Sequence, residues 1–412
     1  MPSALPDLPL PAGIRSRIVP GINGLSMHVL EAGHEQPGRP CVLLLHGFPE
    51  LAYSWRKVMI PLAQAGYHVV APDHRGYGRT TGWDARYDGD VASFRFFNLV
   101  RDTLGLVAAL GHRSVAAVVG HDFGSPLAAW CALLRPDVFR SVVLMSAPFG
   151  GPPALPVTDP LSGAVIGALG ENDASAASAA SAATAAASAP GGPAPSAAQI
   201  DAQLASLDEP RKHYQWYYST PAADTDMRHC PQGIHSFLRA YYHHKSADWQ
   251  GNQPFELASW APAELAKMPT YYVMHRHADM AATVADHMPS ADAVAACQWL
   301  PDAQLRVYSS EFARTGFQGG LQWYRCGTLG LQVAEQQLFA GRGIEVPSAF
   351  IAGASDWGVY QKPGELARMA GSLCRRFEGS TLIAGAGHWV QQEQPEAVAR
   401  HLLAFLDRRR TA

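Results

Sequence analysis

Gly120-His121-Asp122-Phe123-Gly124 follows the apolar run Val115 to Val119 and precedes a helix-like stretch, Pro126 to Leu134. A strand, a carboxylate flanked by glycines and a helix together describe a sharp bend. At its apex a side chain stands clear of the sheet, and the small flanking residues let neighbouring backbones pass. A carboxylate held there is placed to act as a nucleophile. Attack on an ester would give an anhydride, which gains little. Attack on a saturated carbon gives an ester, which water can then open. The expected target is therefore a carbon bearing a strained ring oxygen or a halide, not an ester or a peptide.

Such a nucleophile needs a base to activate water, a group to orient the base, and donors for the oxyanion formed when the ester opens. His388, in Gly385-Ala386-Gly387-His388-Trp389, follows the run Ser380 to Ile383. Asp356, in Gly353-Ala354-Ser355-Asp356-Trp357, follows Ser348 to Ala352. Alone, the histidine reads equally as structural, and the aspartate as a turn or helix-cap residue. Together with Asp122 they stand at three strand ends, in the order nucleophile, acid, histidine. His46-Gly47-Phe48-Pro49 follows Cys41 to Leu45, where the turn can aim the Phe48 N–H inward. The Phe123 N–H, at the start of the helix after the bend, is the second expected donor. His46 is expected to brace its turn. Glu50 reads either as support behind these groups or as a solvated carboxylate.

The elements that must position these groups are legible as a pattern. Ser16 to Gly33 alternates loosely around Asn23-Gly24, a hairpin signal. Short apolar runs (Cys41 to Leu45, His68 to Ala71, Val115 to Val119, Ser141 to Met145) alternate with helical patterns such as Trp55 to Ala65 and Phe97 to Leu110. Alternation of this kind predicts a mostly parallel sheet covered by helices on both faces. It stops after Pro148, resumes with Ser348 to Ala352 and Ser380 to Ile383, and ends in an amphipathic helix, Pro395 to Arg408. The expected organisation is a core in two parts, 1–148 and 343–412, split by an insertion, 149–342. Within it Ala174 to Ala198 is almost all Ala, Ser, Pro and Gly, which reads as a flexible excursion, with a mobile lid as the alternative. Beyond it Trp, Tyr, His and Met are dense, as in an apolar cap above a site at the carboxyl ends of the strands.

With 412 residues, 48% of them hydrophobic, burial does not limit such a fold. A net charge of −3 gives no basic excess for nucleic acid or a membrane surface. Met1 to Pro20 has no signal-peptide pattern, and no apolar stretch is long enough to span a bilayer. The six cysteines are scattered without a C-x-x-C pair, which suits a reducing cytoplasm. His243-His244 invites a metal reading, but adjacent helical residues point about 100° apart and share an ion poorly. No metal or cofactor is expected.

The segments His46 to Glu50, Asp73-His74-Arg75-Gly76-Tyr77-Gly78 and Gly120 to Gly124, with Thr315-Gly316-Phe317-Gln318-Gly319-Gly320-Leu321-Gln322-Trp323-Tyr324-Arg325, resemble the soluble epoxide hydrolase family of the α/β-hydrolase fold. Tyr214-Gln215-Trp216-Tyr217-Tyr218 resembles the segment carrying that family's other cap tyrosine. The resemblance covers nearly all of the core and two cap segments, but neither the Ala-rich stretch nor, with any clear match, Lys267 to Pro289. Two departures are Cys326, where the family motif ends in asparagine, and Phe123, where many members carry tryptophan. The resemblance implies an inserted, mainly helical cap over the core. It implies that Asp122 attacks an epoxide carbon while Tyr324 and Tyr214 hold and protonate the ring oxygen. His388, held by Asp356, then drives water onto the ester to give a vicinal diol. Tyr217, Tyr218, Tyr241 and Tyr242 compete with Tyr214 for the second role. Trp323, Tyr218, Trp216 and Trp389 are the expected substrate-facing aromatics, and the substrate a small lipophilic epoxide.

Two rivals are kept. A dehalogenase shares the aspartate bend, but a halide needs side-chain N–H donors where Phe48 and Phe123 offer none. A ligand-binding protein would need no complete triad. A serine esterase is weaker still, because Ser125 is off the apex.

Overall fold

The computed structural model describes residues 5–158, 165–169 and 197–410. Its base is an eight-stranded sheet. β1 (Ile14–Ile22) and β2 (Leu25–Ala32) form a hairpin whose turn residues Asn23 and Gly24 have φ of +47° and +85°, the backbone a two-residue hairpin favours. β3 (Cys41–Leu45), β4 (His68–Pro72), β5 (Val115–His121), β6 (Val142–Met145), β7 (Ile344–Gly353) and β8 (Cys374–Ile383) complete it in the order β1-β2-β4-β3-β5-β6-β7-β8. The β1-β2 and β2-β4 pairs are antiparallel and the rest parallel.

Strands buried on both faces have no need of polar alternation, and β3 shows this. Val42 and Leu44 enter the core on one face, while Cys41, Leu43 and Leu45 enter the core on the other. α1 (Arg56–Gln64) covers the first face, and α2 (Phe96–Ala109) and α3 (Gly124–Leu134) the second. β3 is flanked by β4 on one side and β5 on the other, so the crossovers before and after it run in opposite directions. A crevice opens at the carboxyl ends of the strands at such a point.

β7 and β8 begin earlier than their apolar runs suggest, at Ile344 and Cys374. Pro347 and the charged stretch Arg375-Arg376 hide the starts. Register shifts between Ile344 and Pro347 and between Ser348 and Phe350 absorb the irregularity, and β8 is an edge strand, where charged exposed residues belong.

Between β6 and β7 lies the inserted helical region. It includes α4 (Tyr214–Tyr218), α5 (Gly233–Lys245), α6 (Asp302–Thr315) and α7 (Gln318–Thr328). Two small ribbons accompany the helices, Leu155–Thr158 with Val165–Leu169 and Arg211–His213 with Val273–His275. The excursion expected at Ala174 to Ala198 lies outside the described residues except for its end, where the helix Ala197–Ala205 begins. α8 (Pro395–Arg410) closes the chain beside α1. Among the described residues no helix is long and apolar enough to cross a membrane, and no cluster of His, Cys, Asp and Glu could hold a metal ion.

Candidate active site

Asp122 opens the turn after β5 with φ +52°, a left-handed backbone that a side chain adopts only when its surroundings impose it. A Cβ on Gly120 would lie 1.9 Å from Gly124 O, and one on Gly124 would lie 2.2 Å from Leu45 O. Glycine is thus required on both sides for strand, bend and helix to pass. Gly47 has the same constraint, since a Cβ there would sit 2.4 Å from Asp122 Oδ1. The turn after β3 lies directly against the carboxylate, and the Phe48 N–H donates to Asp122 Oδ1 at 2.9 Å. Phe48-Pro49 is a cis peptide. His46 braces the turn: its Nδ1 contacts Gly47 O at 2.9 Å, and its Nε2 accepts the His74 N–H at 3.2 Å.

The other carboxylate oxygen, Oδ2, is 3.4 Å from His388 Nε2. His388 Nδ1 is 3.0 Å from Asp356 Oδ1, which also accepts the Gly358 N–H at 2.7 Å. The structure therefore brings Asp122, His388 and Asp356 into one line, all buried. Burial disfavours the charge on Asp122, but the hydrogen bond and charge of His388 outweigh it and hold the carboxyl well below the usual range. For His388, burial and the nearby Lys245 push downward, while Asp356 and Asp122 pull upward and prevail.

Behind the line, His121 Nε2 lies 2.7 Å from the His388 carbonyl, and its Nδ1 lies 2.6 Å from Glu50 Oε2. A carbonyl only accepts, so Nε2 carries a proton, and a further proton sits between Nδ1 and the carboxyl. Gln391 donates to Glu50 Oε1 at 2.8 Å. Glu50 is a buried support, not a solvated group.

From the insertion, α7 lowers Tyr324 onto the turn and the bend. Its ring packs edge-on against Phe123 at 4.4 Å and Phe48 at 5.5 Å. Tyr214 lies 5.8 Å from Tyr324, ring to ring, with its hydroxyl 3.3 Å from Gln361 Oε1. Burial, with the Asp122 charge adding to it, raises both phenols well above 10, so both remain donors. Of the competing tyrosines, three donate to other groups and Tyr241 accepts from one of them. Tyr217 donates to Asp226, Tyr242 to Pro49 O, and Tyr218 to the Tyr241 hydroxyl. Tyr218 still faces the site with its ring, 5.0 Å from Tyr324 and 5.1 Å from Phe48.

The remaining aromatics differ in placement. Trp323 packs on Phe123 at 5.7 Å and donates its indole N–H to Arg75 O at 3.1 Å. Trp389 turns to the insertion, packed at a tilt on Tyr242 at 4.3 Å with its N–H on Tyr242 O. Trp216 follows Tyr214 by two positions on α4, so it points to the opposite side of that helix, and it is only half-buried. Cys326, the departure from asparagine, donates its thiol to Val91 O at 3.2 Å.

Two neighbours were not foreseen. Lys245 is buried, with Nζ 4.8 to 5.6 Å from the ring centres of Tyr272, Tyr241, Trp389 and Tyr271. Glu393 accepts backbone N–H groups on both sides of His388. Neither belongs to a local motif, and no spacing in the sequence marks either of them.

Similarity to known proteins agrees with this geometry. The family model described as the alpha/beta hydrolase fold matches residues 40–196. Epoxide hydrolase A of Mycobacterium tuberculosis is 32% identical over 387 residues, covering 93% of this chain and 95% of that protein. An epoxide hydrolase of Caballeronia sordidicola is 30% identical, with 93% and 91% covered. Among solved structures, an epoxide hydrolase from an endophytic Streptomyces superposes with a TM-score of 0.71 at 28% identity, with 98% of each chain covered. Epoxide Hydrolase A from Mycobacterium thermoresistibile gives 0.68 at 28% identity, over 96% of this chain and 98% of that one.

Proposed function

The chain belongs to the epoxide hydrolase family of the α/β-hydrolase fold, and from that membership and the geometry above we propose a mechanism in which Asp122 carries the covalent step of epoxide opening. The enzyme converts an epoxide and water to a vicinal diol. Asp122 Oδ2 attacks a ring carbon, forming a C–O ester bond as the ring C–O bond breaks. The electrons of that bond go to the ring oxygen, which takes a proton from a cap phenol. Tyr324 is the donor best supported, because its ring rests on Phe48 and Phe123 beside the nucleophile; Tyr214 shares the ring oxygen with it. Oδ1 stays on the Phe48 N–H throughout.

In the second step His388 takes a proton from water, and hydroxide adds to the Asp122 carbonyl carbon. The oxyanion collects on Oδ1, held by the N–H groups of Phe48 and Phe123. Its collapse breaks the bond between the carbonyl carbon and the alkyl oxygen; the departing alkoxide takes the proton held on His388, and the proton left on the re-formed Asp122 carboxyl restores the cap phenol. The product leaves with one oxygen that came from Asp122. Asp356 keeps the imidazole oriented and stabilises its charge. The observation that carries this reading is the split environment of the carboxylate, with one oxygen on a backbone N–H at 2.9 Å and the other facing the histidine at 3.4 Å.

Residues 149–342 are read as the cap domain. Its packed aromatics support a small lipophilic epoxide, with Tyr218 and Trp323 against it and Trp216 and Trp389 at the margin. Six free cysteines, five of them buried, support a cytoplasmic location. The test is Asp122→Asn, which should lose diol formation from styrene oxide by about 10⁴-fold or more, as removal of a covalent nucleophile does. Residual turnover near the unaltered rate would reject Asp122.

A further inference from the structure

Glu393 ends the short helix Val390–Glu393 just past His388, and its carboxyl turns back over the loop that carries the histidine. Oε2 accepts the Gly387 N–H at 2.9 Å and the Ala247 N–H at 2.8 Å, and Oε1 accepts the Trp389 N–H at 2.9 Å. Both chain neighbours of His388 therefore hang from one side chain. The N–H of His388 itself goes across to Lys245 O at 2.9 Å. The loop has no slack there, since a Cβ on Gly387 would lie 2.5 Å from Ser246 C and 2.6 Å from Ala247 N. The histidine loop is pressed onto the segment following α5, and Glu393 is the side chain that ties the two together.

We propose that Glu393 is a positioning residue for His388, fixing the imidazole against the Asp122 ester by holding the main chain on both sides of it and joining that loop to the insertion. The proposal rests on the two-step reading above. General base catalysis on bound water needs the base within about 0.5 Å of its productive place, which a free loop does not guarantee. The first step uses Asp122 and the tyrosines, so loss of Glu393 should fall on the second. Burial lifts the Glu393 carboxyl to about 8 against the pull of the three N–H groups, and a carboxyl keeps acceptor lone pairs in either protonation state. The alternative role is a helix-start cap that contributes stability alone. The two roles separate by kinetics.

The experiment uses the full chain with styrene oxide as probe. Glu393→Gln is the same size but turns one acceptor oxygen into an amide facing an N–H. Glu393→Ala removes the carboxyl, which borders a cavity of about 660 Å³ shared with Lys57, Arg239, Asp248 and Trp299, so the change opens into space already present. Stopped-flow and intact-mass measurements follow ester formation and ester hydrolysis separately, with His388→Gln alongside. Both Glu393 variants should form the ester within about threefold of the normal rate and hydrolyse it at least about tenfold more slowly, on the scale of general base loss, so the adduct accumulates. A lower melting temperature with unchanged hydrolysis would make Glu393 a structural cap and overturn the proposal. If His388→Gln accumulates no adduct either, the two-step reading fails, and the Glu393 proposal with it.

Discussion

At the scale of single residues, the site is a problem in placing charge. Asp122, His388, Asp356 and Lys245 lie together out of water, and each carboxylate favours the protonated imidazole. While Asp122 is ionised, that preference serves to hold the pair in line. In the proposed mechanism, once Asp122 is an ester one negative charge is gone, and Asp356 and Glu50 are left to oppose the charge of Lys245. The imidazole then releases its proton more readily, at the moment it must act as base. Lys245→Met removes the charge that lowers the His388 pKa, so that pKa rises further. The neutral base is then lost at higher pH, and the acid limb of kcat should move to higher pH. A pH profile checks this, and a limb that stays or moves down contradicts it. Tyr324→Phe removes a donor whose pKa is raised well above 10. It should slow ester formation by about 10²-fold while binding of the epoxide changes little, as single-turnover rates measured against epoxide concentration would show. Asp122, His388 and Asp356 were legible in the sequence because each stands where a strand ends. Lys245 and Glu393 were not, because their roles come from chain crossings that no local spacing records.

At the scale of elements, two of the segments singled out in the sequence meet in space. Gly76 of the turn after β4 and Gly319 at the start of α7 are in backbone contact. A Cβ on Gly76 would lie 2.5 Å from Gly319 O, and one on Gly319 would lie 2.2 Å from Gly76 O. Gly320 is equally confined, since a Cβ there would come within 2.8 Å of Phe48 and Tyr77. The glycines of both segments let α7 descend onto the core far enough for Tyr324 to reach the Phe48 and Phe123 turns. Gly319→Ala should raise α7 and cost activity more than stability, with ester formation slowed about tenfold or more, since about 1 Å of misplacement costs up to 10². Normal single-turnover rates in a folded variant would remove this contact from the account. The strands of the core were readable from alternation and turn residues. The helices of the insertion were less so: α4 is five residues long, too short for a period to show, and burial on several sides blurs any stripe.

Across the whole molecule, the insertion is bound to the core by buried polar groups as well as aromatic packing. Glu311 on α6 accepts from Arg79 of the core at 2.8 Å, with both side chains nearly out of water, and Ser54 and Tyr308 join the same two parts at 2.8 Å. Glu311→Gln leaves Arg79 without its counter-charge. The expected cost is about 3 kcal/mol, read as a lower denaturant midpoint with the ratio of the two half-reaction rates unchanged. A midpoint equal to the unaltered protein would show that the pair contributes nothing. The split of the core into two parts could be read from the sequence because the strand pattern stops after Pro148 and resumes at Ser348. How the inserted chain seats itself could not, because its contacts with the core join residues far apart in the sequence, as Ser54 and Tyr308 do.

The central claim is that product oxygen comes first from Asp122 and only then from water. A single turnover in oxygen-18 water, with enzyme in excess over styrene oxide, tests it directly by mass spectrometry of the diol. The first diol should be unlabelled and the label should appear in the protein, within the peptide containing Asp122. Labelled diol from that first turnover would mean that water attacks the epoxide itself, and no ester ever forms.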